Sequence, residues 1–482
     1  MFKKILCLLL AGLMLTSTVA CATETDSDTP ADQQTSAPTE EGETELKPEL
    51  PEKDYSSSTF RVLGIEDAVG HVLSEKTKGE EVNDALVAAN LEVASQFNTK
   101  FESILISHDE DTSIIRAFIM SGDDGYDVAY LHDCATANMA LEGWFVDANT
   151  LPYLDPTAPW WPQFTVESLT LNRKMYYYSN YTSYLAMEWT WGCFFNQDIL
   201  REFNQESPYK FVREGTWTLD KVHSMSTDIY SDKNGDGVSN DTDVLGFAFT
   251  QTPYAWLESF GIEVWKKESP DSAVLSLDIE DERCYTLIDK LHTWFFSGDD
   301  SVMVNFGGAP AQGNSMFTGD RLAFTFERIG TLAPLAMEAD INYGIVPMPK
   351  LDTNQTEYYA GCHDKLFSVP TTVRDRERVG IILEAMAYAG YKHILPAYCE
   401  KTLKTRLATD PDCGEMLNMI FERQVISFAY LLNRQVSGGG IQIKLIPSTT
   451  EQNNVASFLK SKQAVEKKIL KKITKFYGRD LE

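Results

Sequence analysis

Beyond residue 54 the chain alternates between two hydrophobic periodicities. "STFRVLGIE" sets apolar Phe60, Val62 and Leu63 among β-branched neighbours and predicts a strand from Thr59 to Ile65. "GEEVNDALVAANLEVASQFN" then places Val82, Leu86, Ala89, Val93 and Phe97 at helical spacing, the stripe of an amphipathic helix. "FESILISH" predicts a second strand, "DTSIIRAFIMSGDD" a short helix ending near Gly122, and "YDVAYL" a third strand. Strand, helix, strand, helix and strand in close succession predict an α/β domain on a mixed or parallel sheet.

The alternation continues. "WTWGCFFNQDILREF" reads as a strand running into a helix, and "TWTLDKVHSMSTDIY" as a helix with Thr218 at its N-cap. "LGFAFT", "RLAFTFER", "INYGIVPMPK" and "KLFSVPTTV" read as strands, the last followed by the helix "RVGIILEAMAYAGYKHI". Strand-rich and helical stretches alternate in a way that takes the chain between two lobes more than once. The body, roughly 430 residues, exceeds what one hydrophobic core handles, so two lobes are expected.

The first residues read differently. In "MFKKILCLLLAGLMLTSTVAC" two lysines precede an apolar run from Ile5 to Leu15 and then small residues, the layout of an export signal. The small residues before Cys21 resemble a bacterial lipoprotein signal, which implies lipidation of Cys21 and an anchor on the extracytoplasmic face of the membrane. Residues 22–54 are acidic and rich in Thr and Pro, without hydrophobic periodicity, and predict a disordered tether. The expected partition is a signal over 1–21, the tether over 22–54 and the first part of an N-terminal lobe over 55–175. A helix-rich second lobe covers 176–350, and crossover segments with C-terminal helices cover 351–482.

A net charge of -29 argues against nucleic acid as a partner. Six cysteines lie beyond Cys21, none in a CxxC pair, so a thiolate zinc cluster has no support. Proximity makes Cys399 and Cys413 the expected disulfide if one forms, with buried thiols the open alternative. No GxSxG elbow, HExxH pair, P-loop or GxGxxG fingerprint occurs, and no enzymatic activity is expected.

Two candidate chemistries remain. In "DKNGDGVSNDTD" Asp232, Asn234 and Asp236 hold the first, third and fifth positions of a calcium loop, and Gly237 the sharp turn. Val238 supplies a carbonyl, and Asn240 and Asp243 fill the ninth and twelfth positions. A single loop predicts a structural Ca²⁺ clip and not a paired sensor. The second signal is aromatic: 9 Trp, 21 Tyr and 25 Phe, enough flat rings to stack on the C–H faces of a sugar. "WTWG" is expected to put Trp189 and Trp191 on one side of a strand, and "TQTPYAWLESFG" offers Gln251 and Trp256. Tyr130 and Asp133 end a predicted parallel strand, where open α/β sheets expose their binding crevice, and Glu327 and Arg328 end another. At least two of the tryptophans are expected to line the site. Of the consecutive Tyr176, Tyr177 and Tyr178, some must be structural and one is expected at the cleft.

"EVNDALVAANLEVASQFN", "YDVAYL", "CFFNQDIL", "ADINYGIVPMPK" and "KLFSVPTTVRDRERVGIILEAMAYAG" together carry a resemblance. With "LPAYCEKTLKTRLATDPDCGEMLNMI" they make the body resemble an extracellular solute-binding protein of the family that serves bacterial ABC importers, in its sugar-associated family 1 branch. The resemblance implies a two-lobe, periplasmic-binding-protein-like α/β fold with a cleft between lobes and multiple crossovers. It implies a monomer that captures a mono- or oligosaccharide and delivers it to a transporter permease. A peptide-binding protein and a surface adhesion or scaffold lipoprotein are the alternatives.

Overall fold

The computed structural model describes residues 46–107, 109–269, 271–277, 281–403, 410–432 and 440–479. Met1–Leu46 and Lys47–Glu482 are separate units, and the second carries the architecture that follows. Cys21, its signal and most of the acidic segment lie outside the described residues.

In chain order the strands are β1 (Ser58–Ile65), β2 (Thr99–Ile106), β3 (Val128–His132), β4 (Trp191–Asn196), β5 (Tyr230–Ser231) and β6 (Val244–Phe249). Then come β7 (Trp265–Lys267), β8 (Leu275–Leu277), β9 (Val302–Val304) and β10 (Leu322–Arg328). The last are β11 (Tyr343–Pro347), β12 (Ala360–Gly361), β13 (Lys365–Ser368) and β14 (Gln424–Val425). They form two principal sheets. The first has the order β13-β3-β1-β2 and the second β11-β4-β10-β6-β5, with β9 also against β6. β1 runs parallel to β2 and β3, while β13 closes the first sheet antiparallel to β3. In the second, β10 is parallel to β6, and β4 runs antiparallel to both β10 and β11.

The local reasons for these elements match the hydrophobic pattern. β4, β6 and β11 are buried along their whole length, which is why they read as continuous apolar runs and not as alternating ones. The helix Glu81–Phe97 buries Val82, Leu86, Ala89, Val93 and Phe97. The helix Asp111–Ser121 stops at Gly122, whose φ of 69° supplies the left-handed cap. The Thr218 hydroxyl accepts the Lys221 amide at 3.3 Å and starts the helix Leu219–Ser226.

The chain passes from the first sheet to the second between β3 and β4, and returns at β13. It then crosses again, because the helix Arg376–Ala389 packs on Glu81–Phe97 beside the first sheet whereas Asp412–Glu422 packs on β11 of the second. A buried carboxyl ties the first of these segments to the last. Glu384 accepts the indole N–H groups of Trp160 (2.7 Å) and Trp161 (3.1 Å) and the Asp155 amide (3.2 Å). Each is a bond that a buried carboxyl needs to offset its lost hydration.

Three expectations change. No disulfide joins Cys399 and Cys413: both are thiols, on the neighbouring helices Leu395–Leu403 and Asp412–Glu422. Tyr176, Tyr177 and Tyr178 are all buried, and Tyr178 pairs by backbone with Phe367 of β13, so none is offered to a cleft. Trp189 precedes the strand that begins at Trp191. It caps the short helix Leu185–Glu188, so the two indoles do not share a strand face.

Gly246 shows how tightly the helix Leu219–Ser226 lies on β6, since a Cβ there would sit 1.9 Å from the Ser226 carbonyl oxygen. Gly246→Ala is expected to destabilise the body by about 1–3 kcal/mol, the range for overpacking a filled core. Urea unfolding followed by tryptophan fluorescence measures it, and an unchanged midpoint would show that the helix yields freely.

Candidate functional site

The two sheets bring comparable edges together. The carboxyl ends of β6, β10 and β11 and the amino end of β4 share one edge of the second sheet, by the strand directions above. The carboxyl ends of β1 and β3 and the amino end of β13 share an edge of the first. Contacts run between residues flanking these edges. The Lys365 ammonium lies 5.0 Å from the centre of the Trp189 ring, and His71 Nε2 is 3.6 Å from Glu188. The rings of His71 and Tyr184 are 4.7 Å apart. Carboxyl edges of α/β sheets are where the chain turns and leaves a crevice for ligands.

Between the edges runs the segment Cys362–Lys365, every residue of which is buried. Asp364 accepts the Tyr130 hydroxyl at 2.7 Å and also the Ser179 hydroxyl, while Tyr130 and Ser183 share a further bond of 2.7 Å. Those serines belong to the first crossover and Asp364 to the second, so the network joins two crossovers to β3. Burial pushes the Asp364 carboxyl up to about 7, against the hydrogen bonds that lower it. His363 stacks on Tyr430 at 4.1 Å and meets Tyr254 edge-on at 6.1 Å. Neither of its ring nitrogens has a hydrogen-bond partner among the described residues, and burial holds its pKa down to about 4.

Asp133, Arg328 and His132 all act on His363 electrostatically, so both sheets contribute. Asp133 lies 2.9 Å from His132 Nδ1 and accepts the Cys134 amide. Burial alone would raise its pKa, but His132 and that amide hold it below the usual range. In the second sheet Glu327 accepts Gln251 Nε2 at 2.6 Å and the Arg328 amide at 2.8 Å. The Arg328 Nε is buried without a hydrogen-bond partner, and lies 3.6 Å from Glu327. Glu258, fully buried nearby on Trp256–Ser259, is pushed by burial up to about 8. Orphaned polar atoms are uncommon inside folded proteins and need a partner. Those of His363 and Arg328 lie where two sheet edges meet.

The mixed α/β fold with multiple crossovers resembles the bilobed periplasmic-binding-protein fold. The GacH receptor of Streptomyces glaucescens, solved unliganded and with acarbose, superposes with a TM-score of 0.53 at 12% identity over 86% of this chain and 99% of its own. An ABC substrate-binding protein of Listeria monocytogenes in complex with cycloalternan gives 0.51 at 14% identity, covering 85% and 99%. UgpB of Mycobacterium tuberculosis in complex with glycerophosphocholine gives 0.53 at 14% identity, covering 86% and 99%. No protein-family model and no curated protein sequence matches the chain.

Within that fold the eight residues singled out from the sequence divide. Asp133 and Arg328 lie within electrostatic reach of His363, Gln251 and Glu327 join Arg328 in the second sheet, and half-buried Trp189 lies beneath Lys365. Tyr130 is fully buried and spends its hydroxyl on Asp364 and Ser183. Trp191 and Trp256 are core residues at 0% exposure, the latter 4.4 Å from Phe249 and 5.1 Å from Phe326. Most of the other tryptophans are buried too; besides Trp189 only Trp144 is half-buried. The expectation of two stacking indoles therefore narrows to Trp189. Sequence reasoning passed over His363 and Asp364 as a turn and read Lys365 only as the start of the strand "KLFSVPTTV". The available signal was the run of polar residues directly ahead of the strand "KLFSV".

The loop 232–243 links β5 and β6, which pair antiparallel through Tyr230 and Leu245, and it is a hairpin connection. Asp232 accepts the Gly235 and Gly237 amides (2.6 and 2.9 Å), and buried Asp243 accepts those of Lys233 and Asn240 (3.0 and 3.1 Å). These donors offset the mutual repulsion of the aspartates. Among the described residues one trio of metal-ligating side chains has its ligand atoms within 4.8 Å of one another, His132, Asp133 and Cys134. It sits in the cluster described above.

The raised carboxyls give a pH signature. A group whose folded pKa exceeds its unfolded one stabilises the fold fully below the unfolded value, and that stabilisation is lost as pH climbs through the folded value. For Glu258 and Asp364 the window runs from about pH 4 to about 8 and 7 respectively. Each proton contributes a slope of about 1.4 kcal/mol per pH unit inside it. Glu258→Gln and Asp364→Asn are each expected to flatten the fall in unfolding free energy across that window. Urea titrations at a series of pH values test this; parallel curves for parent and variants would contradict it.

Proposed function

We propose that this protein captures a sugar-type solute between its two sheets and hands it to an ABC transporter permease, without transforming it. The observation that carries the reading is the set of underused polar groups, the His363 ring nitrogens and Arg328 Nε among them, where the carboxyl edges meet beside Trp189. Hydroxyls offer such groups both donors and acceptors, and a half-buried indole suits a sugar's C–H face. Three crossovers between the sheets allow the lobes to close on a ligand as a hinge. Saccharide complexes of two proteins with this fold support the same choice. The export signal and Cys21 suit a lipid-anchored extracytoplasmic monomer.

Thermal-shift screening against saccharide and peptide libraries, followed by small-angle scattering with each hit, tests the reading. A saccharide is expected to raise Tm and to reduce the radius of gyration. Trp189→Ala is expected to weaken its binding by about 1–2 kcal/mol, the loss of one stacked ring with its desolvated contact. A peptide response with no saccharide response would refute the sugar assignment, and a body that no solute compacts would refute capture.

We also propose that the 232–243 loop holds Ca²⁺ as a clip. Asp232, Asn234, Asp236, Asn240, Asp243 and the Val238 carbonyl form an all-oxygen donor set of the kind that hard cations take. In the structure the Asn240 amide donates to the Val238 carbonyl at 2.7 Å, and the Asn234 amide to Asp236 at 2.9 Å. Binding therefore requires both amides to turn their oxygens inward. The clip would fix the β5–β6 connection, from which β6 runs toward Gln251. Free Ca²⁺ at a hundred times its Kd is expected to add about 2.7 kcal/mol of stability, and Asp232→Asn with Asp236→Asn to remove most of that increment. A melting temperature indifferent to both calcium and chelator would leave a hydrogen-bonded hairpin and no ion.

A further inference from the structure

The charge balance of the site points to a narrower class of solute. Lys365 is only 4% exposed, and among the described residues its ammonium makes no ion pair. Its one recorded contact is the face of Trp189, which offsets only part of the hydration it gives up. Lys365 is also the direct cross-strand partner of His132, which places both side chains on the same face of the first sheet. Across the site, the Ile329 amide bonds to the Thr190 carbonyl at 2.9 Å, which sets Arg328 beside the Trp189–Trp191 turn. Lys365 therefore lies on the indole of Trp189, and the backbone of Arg328 adjoins the turn that carries it.

The neighbouring carboxyls do not balance them. Glu188 faces His71, Asp364 is taken by the hydroxyls of Tyr130 and Ser179, and Asp133 is engaged by His132 and the Cys134 amide. Glu327 already accepts Gln251 and the Arg328 amide, and meets the Arg328 guanidinium only at 3.6 Å. Burial keeps Glu258 protonated near neutral pH, which removes its charge. The chain as a whole carries a charge of -29, so a buried, unpaired lysine and a half-buried arginine held only by a 3.6 Å contact to Glu327 are not a consequence of composition.

Resting on the sugar-capture reading, we infer that the solute is an acidic saccharide. Its carboxylate or phosphate would lie between Lys365 and Arg328, with a sugar ring against Trp189. An anion there supplies the missing counter-charge, and the guanidinium can offer two parallel N–H donors.

Calorimetric titration of the full chain tests this. Glucuronate- and galacturonate-containing di- and trisaccharides are each compared with the neutral saccharide of the same linkage, and hexose phosphates form a third arm. The acidic member of a pair is expected to bind at least about tenfold tighter, as one charge-assisted contact allows, and to weaken as salt rises. Lys365→Gln and Arg328→Gln are each expected to shrink that acidic-to-neutral ratio several-fold. The arm that binds tightest tells carboxylate from phosphate. The salt series on the unaltered protein stands even if Lys365→Gln fails to fold. Neutral saccharides binding as tightly as their acidic counterparts would overturn the inference while leaving sugar capture standing. Binding of no saccharide in any arm would overturn both.

Discussion

Four consecutive residues, Cys362 to Lys365, are buried between two sheet edges, and three of them, His363, Asp364 and Lys365, bear charge-forming groups stripped of water. That is the constraint from which the centre of the molecule follows. Asp364 demands donors, and the first crossover supplies Ser179 and Ser183 while β3 supplies Tyr130. His363 demands shielding, and Tyr430 and Tyr254 provide it without satisfying its nitrogens. A buried polar segment of this kind is destabilising unless each group finds a partner. The network at Asp364 is complete and structural. The groups at His363, Lys365 and Arg328 are incomplete, and incompleteness is what a ligand can remedy.

The same division explains how the molecule uses its aromatic residues. Trp191, Trp217, Trp256 and Trp294 are fully buried, and the ring of Trp256 touches those of Phe249, Phe260 and Phe326. Fully burying so large a side chain contributes on the order of 2–3 kcal/mol each, and two sheets of modest size need such anchors to hold their covering helices. Trp160 and Trp161 hold Glu384, the carboxyl that fastens the first crossover to the helix Arg376–Ala389. An abundance of rings was therefore mainly a property of the core. Trp189 is the exception because the chain leaves a short helix there before entering β4, and its indole meets Lys365.

What the sequence determined by itself was largely local. Hydrophobic spacing located β1, β2, β3, β4, β6, β10, β11 and β13 and the helices after them, because burial on one or both faces writes its period directly into the chain. Strand ends followed from that, and with them Asp133, Glu327 and Arg328, since a polar residue closing a buried strand stands out against its neighbours. What the tertiary structure alone decided was pairing across distance. Whether Trp191 faced a ligand or Phe249 depended on what β6 laid beside it, and whether Cys399 reached Cys413 depended on the packing of two helices. The segment His363–Lys365 reads in one dimension as a polar turn running into a strand. It became the centre of the site only when β13 joined the first sheet beside β3 and carried those side chains, already stripped of water, up against Trp189 and Arg328 of the second.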